Sequence, residues 1–460
     1  DQAYLKLQSF NSRLKNSNRY NKEYFKYAIP FVFHEILGQI RDSNTEHHNR
    51  NYEVSVRNKM FLMVLTLESR LKLTVSRRKD VLFVVSSSNH YQHCLALESK
   101  LLEENMTHAY VTDKAELYRR IKLTNSKVYF INNVRFYGLV SASKSIAESG
   151  DDINNHLGQI VLNHSPYFND VERQWDVLIK RLRPKIMISG NELLLPHRIG
   201  AFMFRNNNLP VITLQHGYLS SAGIIYREML CDKFLVYGEV AKNAMMKMGF
   251  PEDRLAVVGN LCYNPKKFSE LRSDKSNQKK EKTILIVFSG PGVSTSLKHH
   301  LKQIETVMKL AEFHGNVRFV FKLHPKDRID YYGDITLSNI TVITHSEFVR
   351  TKRSFLDLIV NAHAIITSVS ASMYDAFQLR VPVLVLDLDE EYISHDIAQT
   401  KTILYCGSLK ELKKSFENVL HHNGVYPTVE TAQNYCKELY YRNDTLDIQT
   451  MCFAEIAKLI

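Results

Sequence analysis

At 460 residues, with 44% hydrophobic and 23% charged residues, the chain has an ordinary globular composition, which excludes a disordered protein, and it is too long for one compact core. Lys and Arg number 60 against 48 Asp and Glu, a net charge of +12, which favours an anionic partner: nucleic acid, a phosphate-rich substrate or an anionic membrane face. Six cysteines without a C-x-x-C pair speak against a zinc site or a disulfide framework and fit a reducing cytoplasm. No signal peptide is read, and the most apolar early run, residues 60–65, is far shorter than the roughly 20 residues that span a bilayer. A cytoplasmic protein is expected, peripheral at most at the inner membrane face.

Residues 1–78 read as a helical extension. Residues 24–40 and 60–73 carry apolar side chains at three- and four-residue spacing among many Lys and Arg. They suit a helical cap on the next domain, or a basic surface for a membrane or an acceptor polymer. At Asp80 the pattern changes. The run Val81-Leu82-Phe83-Val84-Val85 ends in Ser86-Ser87-Ser88-Asn89-His90 before a helix to residue 102, the opening of a parallel α/β domain. Further strands are expected at 128–131, 185–189, 211–214, 233–236 and 255–258, with helices at 171–182 and past Arg198. Each strand stops at a polar or glycine turn, among them Gly190-Asn191-Glu192 and Gln215-His216-Gly217. Those turns should line one edge of the sheet.

This first domain is taken as residues 79–263. Residues 264–282 are polar and charged and read as a linker. A second α/β domain, 283–407, opens with strand 283–288 ending in Ser289-Gly290-Pro291-Gly292. A helix at 297–313 follows, then strand 317–324, strand 341–344 and a helix around 355–358. Ala364-Ile365-Ile366 runs into Thr367-Ser368-Val369-Ser370-Ala371-Ser372 and a helix at 373–379, followed by strand 381–387. Residues 408–460 are expected to be helical.

The chemistry concentrates in Lys322-Leu323-His324-Pro325 and the serine-rich turn that follows one α/β unit later. Hydroxyls and free N–H groups at a helix N-terminus suit an anion, and Lys322, His324 and Lys326 add cationic donors. Helix capping explains Ser370 or Ser372 alone, not the whole arrangement. Gly290 stands where a glycine turn lets backbone approach a phosphate, though an ordinary tight turn also accounts for it. The turn is neither G-x-G-x-x-G nor a Walker motif, which disfavours dinucleotide and P-loop chemistry. Asp387-Leu388-Asp389 imitates a D-x-D metal motif and reads as a loop or a nucleotide-edge contact. His47-His48, His299-His300 and His421-His422 are adjacent pairs that cannot share a helix face. No metal site is expected.

Two α/β domains, Gln215-His216-Gly217, Lys322-Leu323-His324-Pro325, then Thr367 to Ser372 with Asp375-Ala376-Phe377 and Val381-Pro382-Val383 resemble GT-B glycosyltransferases over residues 80–405. More narrowly they are similar to bacterial surface-polysaccharide enzymes: capsule transferases using CMP-Kdo or CMP-sialic acid, and CDP-polyol phosphotransferases. The resemblance implies two doubly wound Rossmann-like domains facing across a cleft, with the helical extension in front. It implies a donor held by Gly290, Lys322, His324, Pro325, Ser368, Ser370 and Ser372. Asp375 stands where a ribose-binding Glu is common, on a shorter side chain. The base would be His216 of the Gln-His-Gly turn, which titrates near neutrality without tuning. Glu192 is the next choice; it would need burial to raise its pKa, or Arg198 could hold it as a structural ion pair.

The implied reaction is an inverting, metal-independent transfer of a sugar or polyol phosphate from a CMP- or CDP-linked donor to a growing bacterial surface polysaccharide. The nucleotide sugar would be a substrate, with no cofactor, and a glycan or lipid-linked glycan would be the acceptor. A UDP-sugar 2-epimerase is the rival enzyme, since it shares this fold and a His-containing donor site; the long basic helical N-terminus argues against it, because an epimerase would need no polymer acceptor. A basic nucleic-acid-binding protein is the rival of another class. The basic residues cluster in helices and the linker and no RNA- or DNA-binding motif appears, so no nucleic acid partner is expected.

Overall fold

The computed structural model describes residues 56–74, 76–124, 127–131, 153–217, 219, 226, 229–262, 270–271, 282–291, 295–325, 327–351, 354–388, 404–421 and 447–460. The chain divides into two compact units, one of residues 1–216, 223–262 and 441–460, the other of residues 217–222 and 263–440. The expected helix at 24–40 and nearly all of the expected linker lie outside the described residues.

The first unit opens with α1 (Val56–Thr74), then β1 (Val81–Val84), α2 (Ser88–Glu103), β2 (His108–Thr112), α3 (Ala115–Leu123) and β3 (Val128–Phe130). It continues through α4 (Ile153–Leu182), β4 (Ile186–Ser189), α5 (Leu195–Asn206), β5 (Val211–Leu214), β6 (Lys233–Val236), α6 (Glu239–Lys247) and β7 (Leu255–Val257). All seven strands pair in parallel, in the order β3-β2-β1-β4-β5-β6-β7. β1, β4 and β5 are buried along their whole length, because helices cover both faces of a parallel sheet and leave no polar side to alternate with.

The sequence pattern missed β2 and α3. His108-Ala109-Tyr110-Val111-Thr112 has polar ends and no apolar run, and the sheet supplies what propensity does not. Phe83 pairs with Tyr110 across β1 and β2, the rings stacking at 5.2 Å. Glu98 of α2 accepts from His108 Nε2 at 2.7 Å and from Tyr110 Oη at 3.2 Å. The helix expected at 171–182 begins earlier, at Ile153.

The second unit holds β8 (Thr283–Val287), α7 (Leu297–Phe313), β9 (Arg318–Lys322), β10 (Ile340–Ile343), α8 (His345–Arg350), α9 (Phe355–Asn361), β11 (Ala364–Thr367), α10 (Ser372–Gln378), β12 (Val383–Leu386), β13 (Leu404–Cys406) and α11 (Leu409–Leu420). Its six strands are also parallel, in the order β10-β9-β8-β11-β12-β13. Ile284, Ile286, Phe319, Phe321, Ile366 and Leu384 lead its core. Thr344 and Ser354 form capping boxes on α8 and α9, each satisfying two otherwise orphaned backbone donors.

Among the described residues after 407 stand α11 and the last described helix, α12 (Ile448–Ala457), which belongs to the first unit and packs on α2; β13 adds an edge strand just before α11. β13 was missed because three residues, Leu404-Tyr405-Cys406, carry no periodicity. No helix among the described residues is long and apolar enough to cross a membrane.

α4 and α5 close over Trp175, which is fully buried, donates from Nε1 to the Pro196 carbonyl at 2.8 Å and meets Phe204 edge-on. Gly200 makes this approach geometrically feasible: a Cβ there would fall 2.4 Å from Trp175 Cζ2. Gly200→Ala should therefore destabilise by about 1–3 kcal/mol through overpacking, even though alanine is the better helix former. The urea unfolding midpoint measures this, and a midpoint at or above that of the parent chain would show that the ring yields freely.

Candidate functional site

In a parallel sheet every strand ends at the same edge, and ligands bind where the strand order reverses direction. In the first unit that point lies between β1 and β4, in the second between β8 and β11. The candidate residues are best described around those two points, each within its own unit.

In the second unit the turns after β8 and β11 are stitched together. Ser289 donates its backbone N–H to Ser368 Oγ at 3.0 Å, and the two hydroxyls are 2.8 Å apart. Thr367 Oγ1 donates to the Val287 carbonyl at 2.6 Å and stands 3.1 Å from both Ser370 Oγ and Ser372 Oγ. Ser370 and Ser372 share a hydroxyl hydrogen bond of 2.5 Å. The serine side chains thus bond mostly to one another and brace the turn. The backbone N–H groups of Val369, Ser370, Ala371 and Ser372 find no acceptor among the described residues. Consecutive unpaired amides of this kind form an anion-binding concavity.

Gly290 closes the other side. Its φ of +69° requires glycine, and a Cβ there would lie 3.3 Å from His324 Cβ and 3.4 Å from His324 Nδ1. His324 is half-buried and Pro325 exposed, while Lys326 lies outside the described residues. The turn that carries them is anchored by Asp327, whose N–H donates to the His324 carbonyl at 2.9 Å. The Asp327 carboxylate accepts from His300 Nε2 at 3.0 Å and from Tyr332 Oη at 2.8 Å. Gly290, His324, Ser368, Ser370 and Ser372 therefore line one strand edge. Lys322 is turned toward aromatic rings, with Nζ 5.2 Å from the Phe348 centroid and 5.7 Å from that of Phe355. Burial lowers its pKa. Asp375 sits in the first turn of α10, and burial raises its carboxyl to about 7. Asp387 is buried and accepts from Tyr405 Oη at 2.6 Å, with His299 Nε2 at 3.8 Å; Asp389 lies outside the described residues.

In the first unit, Ser87 caps α2 by accepting from the His90 N–H at 3.1 Å, which places His90 in the first turn and His93 in the second, on one face. Gly190, after β4, lets His90 approach, since a Cβ there would be 2.6 Å from His90 Cβ and Cγ. His90 meets His216 edge-on at 4.4 Å between ring centroids. The Ser86 N–H donates to His90 Nδ1 at 3.4 Å, which puts the ring proton on Nε2. His93 Nδ1 donates to the Asn89 carbonyl at 2.9 Å, so Nε2 accepts from Tyr237 Oη at 2.7 Å. Asn89 Nδ2 donates to the His216 carbonyl, and His197 Nδ1 donates to that of Asn191 at 3.1 Å. His197 Nε2 lies 3.7 Å from Asp113 Oδ1.

Burial drives three of these imidazoles, His90, His93 and His216, toward the neutral form. His90 and His93 are pushed down, and His216 falls to about 4, with burial the largest cause and His93 second. A neutral imidazole can take a proton. Glu192 is different. It is fully buried, accepts from Arg198 Nη1 at 3.3 Å, Thr213 Oγ1 at 3.2 Å and the Leu230 N–H, and burial raises its pKa against the pull of Arg198. The ion pair with Arg198 weighed from the sequence is present, and no face of Glu192 is open to solvent.

The sequence reading did not single out His90, His93, His197 or Asp113 as site residues. His90 and His93 were within reach, because an i, i+3 pair at a helix start shares one face. Among the described residues no three His, Cys, Asp or Glu side chains converge as a metal set.

Residues 227–441, which include the whole Gly290–His324–Ser368 edge, match the family model of UDP-N-acetylglucosamine 2-epimerase. No curated protein sequence matches this chain. Among solved structures, the chain is similar to the UDP-GlcNAc 2-epimerase of Neisseria meningitidis bound to UDP-GlcNAc, at 15% identity over 83% of this chain and 99% of that one, with a TM-score of 0.52. It is similar to S. aureus MnaA with UDP, at 13% identity over 83% and 98%, TM-score 0.53. A glycosyltransferase from Rickettsia africae gives 13% over 83% and 98%, TM-score 0.51. At such identities the likeness is one of fold. The chain has the GT-B-like fold of two Rossmann-like α/β units that these epimerases share. The narrower likeness to CMP-sugar capsule transferases and CDP-polyol transferases finds no support, and the reading as a CMP- or CDP-dependent transferase is overturned by the epimerase match. The strand-end motifs behind that reading carry no mark of a nucleotide base.

Proposed function

We propose that the chain is a UDP-sugar enzyme of the UDP-N-acetylglucosamine 2-epimerase type. The observation that carries this reading is the family match over residues 227–441. The physical fit of the matched segment supports it. The amides of residues 369–372, Gly290 and His324 offer donors to a diphosphate, which a nucleotide sugar presents. Ser368 braces the turn that presents those amides. Asp375 is assigned to the ribose.

Inversion at a sugar carbon requires a proton to leave from one face and return to the other. Carbon 2 of a UDP-2-acetamido sugar has no carbonyl beside it, so its proton leaves readily only if a bond at carbon 1 breaks in the same event. The electrons of the C–H bond then form a C1–C2 double bond while the C1–O pair departs with UDP, and the reverse addition restores the sugar. Donors such as the amides of residues 369–372 stabilise the departing diphosphate, and a neutral imidazole, which burial makes of His216, is a competent acceptor for the proton.

UDP present at a hundredfold excess over its Kd should stabilise the protein by about 2.7 kcal/mol, and His324→Ala or Ser368→Ala should remove that shift. Stabilisation by CMP or CDP with no response to UDP would sink the assignment. UDP-GlcNAc incubated in D2O should gain deuterium at carbon 2 along with its epimer, read by proton NMR. His216→Asn should lower kcat by about 100- to 10,000-fold while leaving the UDP-induced shift intact.

His216 also gives a stability prediction. Its folded pKa of about 4 lies below the ordinary 6.5, so between those values the unfolded chain binds more protons than the folded one. Stability rises with pH through that window and the gain is complete above it. The difference in urea midpoint between about pH 5 and about pH 7.5 should shrink in His216→Asn; an unchanged difference would mean that this ring is not held neutral.

A further inference from the structure

α1 and α4 lie side by side at the β3 edge of the first sheet and leave a groove of about 400 Å³ between them. Leu73, Phe130 and Leu178, all buried, form its floor, and the guanidinium-bearing side chains of Arg70, Arg173 and Arg181 stand on its walls, exposed. None of these three arginines has a carboxylate partner among the described residues. The groove's one lining carboxylate, Asp170, accepts from Gln174 Nε2 at 3.2 Å.

Beside the groove, α1 turns Met63, Val64, Leu67 and Leu71 outward, at 66%, 60%, 59% and 61% exposure, and α4 adds Val177. Positions 63, 64, 67, 70, 71 and 74 fall on one helical face. Four large apolar residues gathered on one face, next to three unpaired cations, are not the ordinary scatter of surface hydrophobics.

The charge decides the occupant. A second copy of this face, docked about a two-fold axis, would bring the same three arginines against each other. Nucleic acid answers the arginines and leaves the leucines in water. An anionic bilayer answers both, with phosphates at the headgroup level and hydrocarbon just below it.

We propose that the α1–α4 face docks on an anionic phospholipid surface, with Arg70, Arg173 and Arg181 at the phosphates and Met63, Val64, Leu67 and Leu71 in the acyl boundary. The test is flotation of the full chain with phosphatidylcholine liposomes, with and without phosphatidylglycerol. Binding is expected only with phosphatidylglycerol. Both Leu67→Glu/Leu71→Glu and Arg173→Glu/Arg181→Glu should weaken it by about tenfold or more, with thermal unfolding close to that of the parent chain. Four outcomes overturn the proposal. One is failure of the parent chain to float with anionic liposomes. Another is binding of both double variants like the parent. A third is displacement of the liposomes by inorganic phosphate at low millimolar concentration, which makes the groove a site for a free anion. The last is a parent dimer in sedimentation that Leu67→Glu/Leu71→Glu dissociates, which assigns the face to a second copy.

Discussion

The structure depends on one constraint: strands that pair only in parallel must be joined by crossovers, so all of them end at the same edge. In each unit the crossovers leave β1 and β4, or β8 and β11, in opposite directions, and the turns after those neighbours are left facing a gap. Both candidate clusters of polar side chains collect there. Ser289 and Ser368 are distant in sequence yet share hydrogen bonds at 3.0 Å and 2.8 Å, because their strands are hydrogen-bonded partners. Gly190 and His90 approach for the same reason, one strand pair away in the other sheet.

The two edges differ in electrostatic character. The second unit offers amides, hydroxyls and the half-buried His324. The first unit gathers His90, His93, His197 and His216, and burial keeps the first, second and fourth in the neutral form. Amides and hydroxyls of the first kind suit an anion, and neutral imidazoles of the second kind suit a proton.

Much of the fold was legible because buried parallel strands are written as unbroken apolar runs. Val81 to Val85, Val211 to Leu214 and Ala364 to Ile366 announce themselves. β2 and β13 do not, since their stability comes from neighbours: Tyr110 is held by Phe83 and Glu98, and β13 by β12 and α11. The strand-end turns of the second unit were legible because they are local in sequence. The histidine group was not, since only the strand order brings positions 90, 197 and 216 together. Nor could the nucleotide be read. Turns at strand ends carry no mark of a base, so the same turns fitted a cytidine reading and fit a uridine one.

α12 carries a consequence for how the chain is made. Ile448, Cys452 and Ile456 are buried, and Phe453 receives Lys100 of α2 over its ring at 5.9 Å. The surface of α2 that they cover belongs to the first unit, yet α12 leaves the ribosome only after the whole second unit has been synthesised. The first unit therefore lacks the partner of that strip of α2 until the second unit has been synthesised. Its last contact is made after translation of both sheets, so the order of synthesis and the order of completion are reversed.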